Sequence, residues 1–191
     1  MRLFVALEIP LAVRDRFVAL VDDLRTLDPK ASGKKPRWLR PENLHVTLKF
    51  IGSAASEKSD FIRAALAEVR SEGPIAVRFR GLGFFPNGKR PRVLWARVDA
   101  SQNLSSVAAE IDQRLAKLDI PSERRSFTPH LTLARLQPSG ISAALQAAVE
   151  QNAGREFGEL HTNAFHLIES KLKPSGAEYT TLQSFSFAAE A

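Results

Sequence analysis

His45-Val46-Thr47-Leu48 is a short apolar stretch headed by a histidine, and it recurs 85 positions later as His130-Leu131-Thr132-Leu133. Each copy sits in a run that reads as a β-strand. Successive side chains of a strand point to opposite faces, so His45 and Thr47 share one face, as do His130 and Thr132. Two such strands side by side present two imidazoles and two hydroxyls to one cleft. That arrangement suits acid–base chemistry on a phosphate.

The surroundings of the copies match as well. The order strand, helix, loop with basic residues, His-x-Thr strand fills residues 1–52 and returns between about 92 and 136. In the first copy, Leu3 to Ile9 is the strand. Val13, Phe17, Leu20, Val21, Leu24 and Leu27 mark one stripe of the helix, and Lys34, Lys35, Arg37 and Arg40 lead into His45. In the second, Arg92 to Val98 is the strand, Asn103 caps a helix reaching Leu118, and Arg124 and Arg125 lead into His130. The rest supplies a helix over 57–71, a half-buried strand over 75–79, a flexible aromatic segment from Gly81 to Phe85 and a turn at Asn87-Gly88. A helix from Ile141 to Gln151 and two strands, Ala164 to Leu172 and Tyr179 to Phe187, complete the chain. The expected fold is α+β and bilobal. Two pseudo-symmetric lobes, each with an antiparallel sheet and outer helices, form one domain over 1–191 with the cleft between the sheets.

Composition narrows the function. Hydrophobic residues make up 44% of the 191 and charged residues 25%, which calls for a packed core rather than disorder. A net charge of +6 favours a polyanionic partner, RNA or DNA before membrane. The absence of cysteine removes disulfides, thiolate nucleophiles and cysteine zinc sites, and fits an intracellular protein. No segment approaches the ~20 apolar residues of a membrane span. The first strand is interrupted by Glu8 and Pro10 with no small-residue cleavage site. A soluble, cytoplasmic protein is expected.

Four histidines are present. One histidine in an apolar strand is more often packed than catalytic; two in the same pattern, each with a threonine two places on, invert that preference. One imidazole serves as base while its partner serves as acid, and a threonine hydroxyl donates to a phosphoryl oxygen. A symmetric repeat does not say which histidine is which. His161 and His166, five apart and so on opposite faces of a regular strand, are poor co-ligands and read as structural or surface histidines. No His-Glu-x-x-His or carboxylate cluster accompanies them, so neither a metal nor another cofactor is expected. Trp38, Phe84, Phe85, Trp95 and Tyr179 are candidates to stack on bases, though most such rings belong to cores.

The two motifs in their flanks, Arg37 to Gly52 and Phe127 to Arg135, resemble the two-histidine (2H) phosphoesterase superfamily. Arg2 to Pro10 and Ser170 to Tyr179 are also similar to its bacterial and archaeal RNA 2′,3′-cyclic phosphodiesterases, also called 2′-5′ RNA ligases. The resemblance covers nearly the whole chain. It implies metal-independent hydrolysis of a 2′,3′-cyclic phosphate at an RNA end to a 2′-phosphate, with the reversal joining RNA ends through a 2′-5′ linkage. By motif position it implies His45 as proton donor to the departing 3′ oxygen and His130 as proton acceptor. Thr47 and Thr132 would hold phosphate oxygens, and Arg125 would contact phosphate. RNA ends are the implied partner and a monomer is expected. The competing readings are another 2H phosphodiesterase, acting on a cyclic nucleotide or a 2′-5′ oligonucleotide, and a non-catalytic RNA-end-binding protein.

Overall fold

The computed structural model describes residues 1–27, 36–86, 90–137, 140–174 and 176–187. Lys34, Lys35 and the Asn87-Gly88 turn lie outside the described residues. Nine strands are present among those described: β1 (Arg2–Glu8), β2 (Arg37–Trp38), β3 (His45–Ser53), β4 (Ile75–Phe85), β5 (Val93–Ala100), β6 (His130–Arg135), β7 (Glu156–Thr162), β8 (Ala164–Lys173) and β9 (Gly176–Ser186). The helices are α1 (Leu11–Leu27), α2 (Ser59–Ala67), α3 (Gln102–Ala116) and α4 (Ala143–Gln151).

All strand pairs are antiparallel, in the order β7-β4-β5-β6-β3-β1-β8-β9, with β2 added beside β6. The order is symmetric about the β6–β3 junction. β6 and β3 are the motif strands, β5 and β1 are their outer neighbours, and α3 and α1 follow those neighbours. The fold is α+β with two pseudo-symmetric halves, as the repeat implies. The halves share one continuous sheet rather than facing each other as two.

Alternation builds the core. Leu3, Val5 and Leu7 of β1, Val46 and Leu48 of β3, and Leu131 and Leu133 of β6 are buried on one face, and residues of all four helices join them in one cluster. Each such side chain contributes about 1.5–3 kcal/mol of transfer free energy. The helices exchange halves. α1 leaves β1 and packs on β7 and α4, whereas α3 leaves β5 and packs on β3. The helices therefore pack the two halves together across the junction. On the opposite face a smaller cluster, Phe4, Ala6 and Ile168 with Tyr179 against it, supports the first motif.

Several local readings change. The stretch from Gly81 to Phe85 is the second half of β4, because a bulge between Phe79 and Leu82 lets pairing resume. Gly81 makes that bulge possible: its φ is +75°, and a Cβ there would sit 2.2 Å from the Ala153 carbonyl oxygen. Ser101, not Asn103, is the N-cap position of α3. Asn103 instead donates its amide to the Gly73 and Pro74 carbonyls and to Ser71. β7 carries irregularly spaced apolar residues, Phe157 and Leu160, and does not show as an alternating strand in the sequence. His161 lies on β7 and His166 on β8, so they belong to different strands.

Candidate active site

Val46 on β3 pairs with Leu131 on β6, and both are fully buried on the core face. Their neighbours must point the other way. Antiparallel register then places His45 across from Thr132 and Thr47 across from His130. The two histidines are diagonal neighbours, a relationship that spans about 7–8 Å in a regular pair. His130 is close enough to act electrostatically on His45. The four residues singled out by the repeat thus share one face of one strand pair.

Each imidazole is oriented by its own entry segment. His45 Nδ1 lies 2.7 Å from the Asn43 carbonyl oxygen, and His130 Nδ1 lies 2.9 Å from that of Thr128. A carbonyl only accepts, so Nδ1 carries the hydrogen in both rings, leaving Nε2 for proton exchange. Asn43 is itself fixed by its amide, which donates to the Ala177 carbonyl at 2.8 Å.

Aromatic rings back both histidines, with different consequences. His45 packs between Phe4, at 4.7 Å, and Tyr179, at 5.4 Å. Burial there pushes its pKa down to about 4, with His130 and Arg135 adding to the shift against the opposing Asn43 hydrogen bond. His130 is exposed, and Trp95 stands edge-on to it at 6.3 Å.

A hollow of about 570 Å³ opens on the His130 side, walled by Thr47, His130, Trp95, Phe127, Phe85 and Arg125 among others. His45 and Thr132 do not line it. Arg125 therefore reaches the hollow, while Arg37 lies on β2 opposite Arg135, and Arg40 pairs with Glu42 at 3.9 Å. Trp38 and Phe84 pack against the core. His161 is exposed beside Glu159, and His166 contacts Ser184 Oγ at 2.9 Å. Among the described residues, no group of three or more acidic, histidine or cysteine side chains is arranged to hold a metal ion.

Two charged residues near the site escape strict alternation. In β3, Ala6 faces Thr47 but Val5 faces Lys49, so Leu48 is an extra residue. In β6, Trp95 faces Thr132 but Leu94 faces Ala134, so Leu133 is extra. Each motif strand thus carries a bulge directly after its threonine, and the alternation reverses beyond it. Arg135 emerges exposed and near enough to act on both His45 and Tyr179. Lys49 is buried, with its side chain only 1% exposed. The sequence holds no signal for either bulge; the only common feature is a leucine directly after each threonine.

Comparison with known proteins bears on the family and the fold. The RNA 2′,3′-cyclic phosphodiesterase of Archaeoglobus fulgidus is 34% identical over 185 residues, covering 97% of this chain and 99% of the relative. That of Thermus thermophilus is 34% identical, covering 100% and 92%. The crystal structure of TT0787 of Thermus thermophilus superposes with a TM-score of 0.80 at 30% identity over the full length of both chains. E. coli LigT complexed with 3′-AMP shares the fold, with a TM-score of 0.79 at 22% identity over 97% of each chain. The family model for the 2′-5′ RNA ligase superfamily matches residues 12–173, and the chain belongs to that superfamily.

Proposed function

We propose that this chain is an RNA 2′,3′-cyclic phosphodiesterase that opens a terminal cyclic phosphate to a 2′-phosphate without a metal. The observation that carries the reading is the pair of imidazoles on one face of one strand pair, both with Nδ1 tied to a carbonyl and Nε2 left for chemistry. The relatives that share a third of the sequence over most of the chain bear that activity as their name.

In this reading Thr47 and Thr132 donate to the non-bridging phosphate oxygens, and Arg125 offsets their charge. His130 Nε2 takes the proton of the attacking water as the new P–O bond forms. His45 Nε2 gives its proton to the 3′ oxygen as the P–O3′ bond breaks. After one turnover the protons have changed sides, and exchange with solvent restores them. Burial keeps His45 neutral in the free protein near pH 7, so it gains its proton together with the anionic phosphate, whose charge favours the imidazolium. With the 5′ hydroxyl of a second RNA in place of water, the same two steps run as 2′-5′ joining. The whole chain, with its repeats around 1–52 and 92–136, acts as a single bilobal unit. It works as a cytoplasmic monomer on RNA ends.

The test is turnover of an RNA oligonucleotide ending in 2′,3′-cyclic phosphate, with EDTA present and the product end identified. A 2′-phosphate product is expected. No turnover, or a 3′-phosphate product, overturns the reading.

A further inference from the structure

Lys49 is a buried charge that the chemistry above does not use. Its ammonium donates to Asp112 Oδ1 on α3 and to the Pro121 carbonyl oxygen at 2.6 Å. The same Asp112 oxygen accepts from the Glu123 backbone N–H at 3.1 Å. One lysine–aspartate pair thus grips Pro121 and Glu123. The chain then runs through Arg125 and Thr128 to His130. Among the described residues, Arg124 to Thr128 bond only within their own segment and to His130. The segment is therefore hydrogen-bonded at its two ends, by Lys49 with Asp112 and by β6, with Phe127 packed against the core between them.

The other motif has a counterpart built differently. The entry to His45 is pinned to β6 by backbone pairing, Arg37 opposite Arg135 and Trp38 opposite Ala134, with Leu39 N–H donating to the Leu133 carbonyl at 2.9 Å. Ala134 follows the bulge in β6 as Lys49 follows the bulge in β3. Each entry segment is therefore tied to the opposite motif strand at the same place, once by backbone and once by a lysine. A side chain is needed on β3 because no strand equivalent to β2 precedes His130 among the described residues.

We propose that Lys49, acting through Asp112 and the Pro121 carbonyl, is the positioning residue for the 121–129 segment. It sets where Arg125 meets phosphate and where the Thr128 carbonyl meets His130. The inference rests on the proposed function for the roles of Arg125 and His130, while the tether itself is independent of them.

Two measurements decide it. Trypsin cleavage after Arg124 and Arg125 reports the tether without any substrate. Lys49→Met and Asp112→Asn should each speed cleavage there about tenfold or more, with other sites still protected and Lys49→Arg restoring the wild-type rate. Kinetics report the positioning. Asp112→Asn should raise KM for the cyclic-phosphate RNA about tenfold, and the same substitution in an Arg125→Ala background should add little, because both act through one contact. Unchanged cleavage at Arg124 and Arg125, or fully additive effects of Asp112→Asn and Arg125→Ala on KM, overturns the proposal. Absence of turnover by the wild-type chain would instead sink the proposed function, and the proteolysis would still decide the tether.

Discussion

Val46 of β3 stands opposite Leu131 of β6, and through this pair the two halves of the sheet become one. Both side chains are fully buried, so they fix the face on which His45, Thr47, His130 and Thr132 emerge. The core pair and the chemical quartet are two sides of one register.

Truncating that pair should cost both stability and rate. Leu131→Ala is expected to destabilise by about 2–5 kcal/mol, as for other buried leucines. Its urea midpoint should fall accordingly. At temperatures where it remains folded, turnover should also drop, since the cavity lies directly beneath the histidines. A variant with a lowered midpoint and an unchanged rate would show that the register does not depend on this contact.

His45 makes stability depend on pH in a known direction. Its pKa is about 4 in the folded chain against 6.5 in the unfolded one, so the unfolded chain binds more protons between those values. Stability is fully present above pH 6.5 and is lost as pH falls toward 4. The loss is at most about 3 kcal/mol, because the ring is only half-buried. Urea unfolding of the wild type and His45→Gln across pH 4–7 checks this. The variant should show a flatter profile in that window, and equal slopes would contradict the burial argument.

Arg135 contributes to the same depression. Arg135→Ala is expected to raise the His45 pKa, read by NMR titration of the ring, and to lessen the salt dependence of RNA binding by about one unit of log–log slope. Arg125→Ala should change the salt slope in the same way and leave the His45 titration where it is. A His45 pKa unmoved by loss of Arg135 would place that guanidinium outside the site.

What can be read from the sequence and what cannot divide along physical lines. Alternation in the two His-x-Thr strands puts the histidines and threonines on one face, and the matched helices and strands around them carry the pseudo-symmetry. Beyond the threonines the same rule fails. Strict alternation leaves Lys49 exposed and Arg135 buried, and the bulges at Leu48 and Leu133 reverse both. β7 escapes the pattern because its apolar residues are three apart beside another register shift. The Gly81 segment reads as a loop because its glycines mask a strand that resumes after a bulge.

Gly81 and Gly52 separate strain from crowding. Both have positive φ, +75° and +80°, but only Gly81 has an atom in the way of a Cβ. Gly52→Ala should cost about 1 kcal/mol, the backbone penalty alone. Gly81→Ala should cost clearly more, because the Ala153 carbonyl must also move. Thermal or urea unfolding of the two variants side by side measures the difference, and equal losses would remove the close approach as a cause.

The central claim is that His45 and His130 play opposite parts in proton transfer, and a substrate with an altered leaving group tests it most directly. Each histidine replaced by alanine should lose about 10²–10⁴-fold in rate on the ordinary cyclic phosphate. When sulfur replaces the bridging 3′ oxygen, the leaving group departs without a proton. His45→Ala should then recover most of its lost rate, while His130→Ala should not, since water still needs its base. Recovery by His130→Ala instead would exchange the two roles, and recovery by neither would contradict acid–base catalysis by this pair.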